Sequence, residues 1–169
     1  IDLTGTRLPE LPRFGMRMEL QHPYENLTYY GRGPFENYID RYSSSFIGRY
    51  NDKVENQFYW YIRPQETGNK TDVRWLSLLD NEGQGVKITG LQPIAFSALH
   101  FSPEDLDPGL TRKLQHTIDI VPQKNIFLHI DLKQRGLGGD NSWGMYPHNE
   151  YRLLDKKYTY SYMIELIQK

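Results

Sequence analysis

The sequence contains no cysteine, which removes disulfides, thiolate metal sites and cysteine nucleophiles together and leaves the redox compartment open. It has no apolar run near the roughly 18 residues of a membrane span. Its start, Ile1-Asp2-Leu3-Thr4, lacks the charged head and apolar middle of a secretion signal. The reading is a soluble chain, with cytoplasm and periplasm undistinguished. An excess of one charge is also missing: 20 Lys plus Arg against 21 Asp plus Glu give a formal charge of -1. With no basic run to neutralise a phosphate backbone, nucleic acid is not an expected partner.

Several catalytic patterns are absent too. There is no G-x-S-x-G elbow, no HExxH pair and no glycine loop ending in GK[ST], so neither an activated serine, a zinc site nor a nucleotide site is assigned. His22, His100, His116, His129 and His148 are scattered, and each reads as a satisfied surface or core residue. Glu36, Asp40, Glu66, Asp140 and Glu150 lie in turn-like segments, where acids usually cap or are solvated. No pair of them is assigned as catalytic, and no metal or other cofactor is expected in this chain.

What is present is a strand-rich pattern over 169 residues, a length suited to one domain, 1–169, with 1–13 as a lead-in. Met16, Met18 and Leu20 alternate with Arg17 and Glu19, and Leu27 to Tyr30 forms a second strand candidate stopped by Gly31-Arg32-Gly33-Pro34. Residues 35–56 read as a long ordered connection, and Gln57 to Arg63 as an aromatic strand ended by Pro64. Thr71 to Asp80 and Val86 to Ile88 flank Asn81-Glu82-Gly83-Gln84-Gly85, which is hairpin chemistry. Further strands are expected at Ile94 to Phe101, His116 to Val121, Ile126 to Lys133, Glu150 to Leu154 and Tyr158 to Ile167. One short helix is expected after Ser102-Pro103-Glu104-Asp105, ended by Asp107-Pro108-Gly109. Many short strands with a single short helix indicate an all-β antiparallel sandwich.

The most distinctive stretch is Gly136 to Pro147, GLGGDNSWGMYP, in which glycines and self-bonding Asp, Asn and Ser frame one tryptophan. Trp143 on such a loop offers a flat apolar face with one N–H donor, suited to stacking on a sugar ring; the alternative is that it folds back as a lid on its own core.

Three stretches together carry a resemblance: Gly31-Arg32-Gly33-Pro34-Phe35-Glu36-Asn37-Tyr38-Ile39-Asp40-Arg41, then Arg63-Pro64-Gln65-Glu66-Thr67-Gly68-Asn69, then Gly138-Gly139-Asp140-Asn141-Ser142-Trp143. In the same order they resemble the C-terminal domain of the large bacterial β-galactosidases of glycoside hydrolase family two, from about Phe14 onward. The resemblance implies the C-terminal portion of an antiparallel β-supersandwich of the galactose mutarotase type, catalytically inert alone because the family's glutamates lie in a separate upstream barrel. It also implies a β-galactoside as substrate of the whole, with any metal ions bound elsewhere. Trp143 would stack on the sugar beyond the galactose, with Gly138 and Gly139 letting the loop turn and Asp140, Asn141 and Ser142 holding it. Glu36, Asn37, Asp40 and Arg41, and Arg63 with Glu66, are expected to pair and brace their segments. The chain opens on Ile, consistent with a piece of something longer, and unpaired sheet edges would favour a homo-oligomer.

Two other readings stand beside this one. An independent carbohydrate-binding module would use Trp143 with neighbours such as Tyr146. A mutarotase-like epimerase would need a histidine and a carboxylate in one concavity, for example His100 or His129 with a glutamate.

Overall fold

Alternating side chains and glycine-rich turns build a seven-stranded antiparallel sheet in the computed structural model, which describes residues 1–107, 109 and 115–168. The strands are β1 (Arg13–Leu20), β2 (Asn26–Gly33), β3 (Phe46–Lys53), β4 (Lys70–Leu79), β5 (Gly85–Leu99), β6 (Ile126–Gln134) and β7 (Tyr162–Ile167). They run in the order β1-β6-β5-β4-β2-β3. Along the edge of β5 opposite β4, β7 pairs with Gly85–Gly90 and β6 pairs with Ala95–Leu99. The expected strands at Val86 and at Ile94 are therefore one long strand. Between its two paired halves lie Gly90 and Pro93, and a Cβ at Gly90 would come 2.4 Å from the Gln92 carbonyl oxygen.

The main core follows from period-two alternation. Leu27 and Tyr29 of β2, Leu76 and Leu78 of β4, Ile88, Ile94 and Phe96 of β5, and Ile126, Leu128 and Ile130 of β6 are all buried in one cluster. Tyr29 and Phe96 meet edge to face at 5.3 Å between centroids, a favoured aromatic geometry. The opposite face of β6 carries Phe127, His129 and Asp131, and Asp131 is also buried, so this strand is covered on both sides in part.

The expected hairpin forms: Asp80 Oδ1 accepts the N–H groups of Glu82 and Gln84 at 2.8 and 2.9 Å and shapes the turn from β4 to β5. The expected helix is α1 (Pro103–Leu106). Ser102 Oγ accepts the Asp105 N–H at 3.1 Å and Asp105 Oδ2 accepts the Ser102 N–H at 2.7 Å, a reciprocal cap. Leu106 then packs with Phe58, Leu99, Phe101 and Ile120 in a second, smaller core. Pro108, part of the expected helix stop, lies outside the described residues.

Five expectations are corrected. Residues 35–56 contain β3, an edge strand paired only to β2; most of its side chains are exposed, so no alternation marks it in the sequence. Gln57 to Arg63 is not a strand, because its aromatic rings pack locally and its backbone finds other partners. Tyr59 and Tyr61 stack at 4.7 Å, Phe58 meets Phe101 at 4.4 Å, and the Tyr59 N–H donates to Thr67 Oγ1 at 3.0 Å. His116 to Val121 holds a single tight turn at Thr117–Asp119, in which Asp119 Oδ2 accepts the His116 N–H at 2.8 Å. Glu150 to Leu154 begins in a similar turn, Asn149–Tyr151, and then makes only an isolated bridge, Leu11 to Leu153. The last strand is shorter than the alternation of tyrosines suggests, starting at Tyr162.

The first residues are tied to the last third of the chain. The terminal amine of Ile1 donates to the Tyr158 carbonyl at 2.8 Å, and Leu3 packs with Leu153 and Tyr158.

Candidate functional site

The site is built where β6 ends. As the chain leaves Gln134, the Arg135 N–H donates to the Pro12 carbonyl and the Gly136 N–H to the Tyr151 carbonyl, each at 2.8 Å. Asp40 then reaches in, its Oδ2 accepting the Gly138 N–H at 2.8 Å. Gly136 must be glycine, since a Cβ there would lie 2.7 Å from the Asp40 carboxylate. Gly139 is equally confined, its Cβ position falling 2.3 Å from the Met145 carbonyl oxygen. Gly138 has room for a side chain, and what it supplies is its N–H.

Beyond this anchor the loop holds itself. Asn141 Oδ1 accepts the Trp143 N–H at 2.8 Å, a local turn that sets the tryptophan at the tip. Gly144 follows at φ +92, a backbone angle that side chains resist. His148 Nε2 lies 2.8 Å from Asp140 Oδ1, and that carboxylate holds the imidazole's pKa above its usual value. Ser142 is exposed and makes no hydrogen bond among the described residues. Trp143 itself is 91% exposed, so it is not a lid on this chain's core.

Tyr146 sits at the foot of the loop, where the guanidinium groups of Arg135 and Arg152 lie 5.4 and 4.8 Å from its ring centre. Both arginines pair with Glu10, at 3.0 and 2.6 Å, and the hydrogen bond from Arg152 is the main reason its carboxyl is held below the usual range. Tyr146 is nonetheless 58% exposed, so these contacts hold its ring at the surface.

The three quoted motifs converge. Asn37, fully buried, is the knot between the first two: its Nδ2 donates to the carbonyls of Arg32 and Phe35, and its Oδ1 accepts from the Thr71 N–H at 2.9 Å and the Thr71 hydroxyl. Asn69 Nδ2 donates in turn to the Asn37 carbonyl at 2.8 Å. Glu36 pairs with Arg41 at 2.6 Å, takes the Gly68 N–H at 2.7 Å, and also accepts from the Tyr61 and Thr67 hydroxyls. Through Asp40 the first motif also holds the third. The expected Arg63–Glu66 pair does not form: Arg63 is exposed, and Glu66 meets Arg13 at 3.3 Å instead.

Beside the knot a cleft of about 560 Å³ is lined by Phe35, Glu36, Asp52, Tyr61 and Lys70. Lys70 is buried, donates to Gln57 Oε1 and the Gly68 carbonyl at 3.0 and 3.3 Å, and has its pKa pulled down to about 8 by that burial. His100 Nε2 lies 3.1 Å from Glu25 Oε2, and both line one open cleft with His22, so a histidine and a glutamate do meet as the epimerase reading requires; His129 lines a different cleft, and His116 is exposed. Among the described residues no group of three or more His, Asp or Glu is placed to hold a metal ion.

Against known proteins, the family model described as the β-galactosidase small chain matches residues 1–164. The chain belongs to the β-galactosidase small-chain family. A β-galactosidase of Priestia megaterium is 35% identical over 159 residues, covering 94% of this chain and 15% of that protein. The β-galactosidase BgaC of Bifidobacterium adolescentis is 36% identical over 149 residues, covering 86% and 14%. That of Streptococcus thermophilus is 34% identical over 160 residues, covering 94% and 15%. The small-chain match thus spans about one seventh of the length of these relatives. The anchor Asp40 and the Glu10 strut were not singled out as loop supports from sequence, since their partners lie far along the chain. The only signal for Asp40 was its place in the motif Glu36-Asn37-Tyr38-Ile39-Asp40-Arg41.

Proposed function

We propose that this chain is the noncatalytic C-terminal portion of a β-galactosidase that hydrolyses terminal β-D-galactose residues. In this reading it lends Trp143 to the aglycone side of an active site whose glutamates lie in an upstream barrel of the same polypeptide. The supporting observation is a tryptophan 91% exposed on a loop that is fixed at its base. An exposed indole held on a fixed backbone loses little freedom when a ligand stacks on it, and its flat face accepts the C–H face of many different sugars or aryl groups. That suits the variable side of a glycoside better than the invariant galactose. The isolated chain should be inert, because in this reading the catalytic glutamates belong to the upstream barrel.

The test is Trp143→Ala in the complete polypeptide, assayed on galactosides with a range of leaving groups. KM for substrates with bulky aglycones should rise roughly five- to tenfold, the value of about 1–1.5 kcal/mol for one aromatic contact, while turnover of bound substrate changes far less. Unchanged constants across all the aglycones would remove Trp143 from the site. Hydrolysis by the isolated chain that survives further purification would overturn the noncatalytic reading.

A further inference from the structure

The exposed asparagines of the chain are Asn51, Asn56, Asn81, Asn141 and Asn149, followed in turn by Asp52, Gln57, Glu82, Ser142 and Glu150. Asn141, at the tip of the tryptophan loop, is the one that precedes a small neutral residue. The others are tied to neighbouring structure. Asn51 accepts from the Thr28 hydroxyl at 2.9 Å within β3, and Asn56 Nδ2 donates to Asp52 Oδ1 at 2.9 Å. Asn81 accepts from Asn26 Nδ2 at 3.2 Å, and Asn149 from Arg152 Nη1 at 3.1 Å.

Asn141 is held differently. Its Oδ1 accepts the Trp143 N–H at 2.8 Å, and a turn of this kind folds the side chain over the peptide unit of Ser142. Among the described residues no hydrogen bond joins 141–144 to anything outside the loop. With Gly144 following at φ +92, the backbone here can adjust at the expense of one local bond.

The main-chain nitrogen after an asparagine can close on the side-chain carbonyl carbon in a five-membered ring, with no second molecule to be held in place. A carboxylate on the following residue opposes this, because it repels the hydroxide that takes the nitrogen's proton. Serine leaves the approach open. The negative charge of the addition develops on Asn141 Oδ1, the atom to which the Trp143 N–H already donates.

We infer that Asn141 is a self-modification site, its amide closing on the Ser142 nitrogen and hydrolysing to aspartate and isoaspartate. The Ser142 nitrogen gives its proton to hydroxide and bonds to Cγ. The bond from Cγ to Nδ2 breaks, and the amine takes a proton from water and leaves as ammonia. Water then adds to either carbonyl of the cyclic imide and breaks that carbonyl's bond to nitrogen, so one water is consumed and nothing is oxidised or reduced. The isoaspartate product lengthens the main chain by a carbon just before Ser142, and both products set a new charge beside Asp140. The modification stands apart from the proposed function; its effect on substrate rests on the proposed contact of Trp143.

The test holds the complete polypeptide at mildly alkaline pH and weighs its peptides over time for replacement of an amide NH2 by OH. Asn141 should convert at least about tenfold faster than Asn51, Asn56, Asn81 or Asn149, a barrier difference of about 1.4 kcal/mol. Ser142→Val should slow the conversion about tenfold by crowding the attacking nitrogen, and Ser142→Gly should speed it by a similar factor. Trp143→Ala keeps the main-chain N–H and should leave the rate within about twofold. An Asn141 still intact after another exposed asparagine has converted overturns the inference, as does a rate indifferent to both Ser142 variants. Converted enzyme should show the raised KM for bulky aglycones expected of Trp143→Ala. Conversion with unchanged constants supports the modification and counts against the Trp143 contact, so the two readings fail separately.

Discussion

The knot around Asn37 and the loop around Trp143 are made of the same kinds of residue, glycines with short polar side chains, yet the fold uses them in opposite ways. Asn37 is completely buried and every polar atom of its amide is engaged. Trp143 is almost wholly exposed, and its loop depends on the Asp40 carboxylate, the Tyr151 carbonyl and its own local turns. Polar motifs thus serve either as architecture or as display, and what separates the two is how many of their partners lie elsewhere in the chain. The Asn37 amide is closed on all sides by buried partners, whereas beyond its base the loop finds only its own neighbours.

Breaking the knot should therefore produce the largest loss of stability. Asn37→Ala strands the Thr71 N–H in a buried setting and takes the donor from the part-buried carbonyls of Arg32 and Phe35. Each unsatisfied buried group costs about 1–3 kcal/mol, partly relieved by water, so a net loss of about 3–4 kcal/mol is expected. For a chain of this size that lowers Tm by roughly 10 °C in a thermal melt. A shift of only a degree or two would mean that the knot is decoration.

Lys70, beside the knot, gives a pH-dependent version of the same test. Its pKa is depressed to about 8 in the folded chain against 10.5 for the free side chain, so between those values the unfolded state holds a proton that the folded state does not. Stability from this group therefore rises as pH climbs from 8 toward 10.5 and is lost as pH falls back through 8. Over that window the natural chain should gain about 2 kcal/mol relative to Lys70→Met in denaturant unfolding, a discounted value from about 1.4 kcal/mol per pH unit. Parallel curves for the two proteins would show that the buried amine does not titrate.

How far the sequence revealed these regions depends on where the partners lie. The hairpin at Asp80 and the cap at Ser102 were legible because both partners sit within a few residues. So was the tip of the loop, where Asn141 and Trp143 are neighbours. β3 was hidden because an edge strand exposes most of its side chains and leaves no alternation. The aromatic run at Gln57 to Arg63 misled because Tyr59 and Phe58 satisfy packing without a ladder, the first against Tyr61 and the second against Phe101. The Asp40–Gly138 bond spans 98 residues, and no local pattern announces a contact of that reach.

Asp40→Ala tests whether that long contact, rather than the loop's own turns, holds the display. It removes one charge-assisted bond at an exposed N–H, and also a carboxylate whose other oxygen is buried without a partner, so the two effects on global stability partly cancel to within about 1 kcal/mol. The larger effect is local: amide exchange across residues 136–144 should speed about tenfold while the sheet is unchanged, as expected for local opening. Uniform protection in the variant would show that Asn141 and the glycines suffice.

Trp143→Ala should be the least consequential for the fold. The side chain is almost wholly exposed, and its indole makes no aromatic contact among the described residues. Surface substitutions of this kind change stability by no more than about 0.5 kcal/mol, or about 1–2 °C in Tm for a domain of this size. In the proposed reading, a tryptophan that the isolated chain does not need for folding, held on a loop that the chain fixes at its base, is set for a contact outside the chain. If its removal instead cost as much as the loss of Asn37, the indole would be packing against its own protein in solution, and the contrast between knot and display would fail at its most exposed residue.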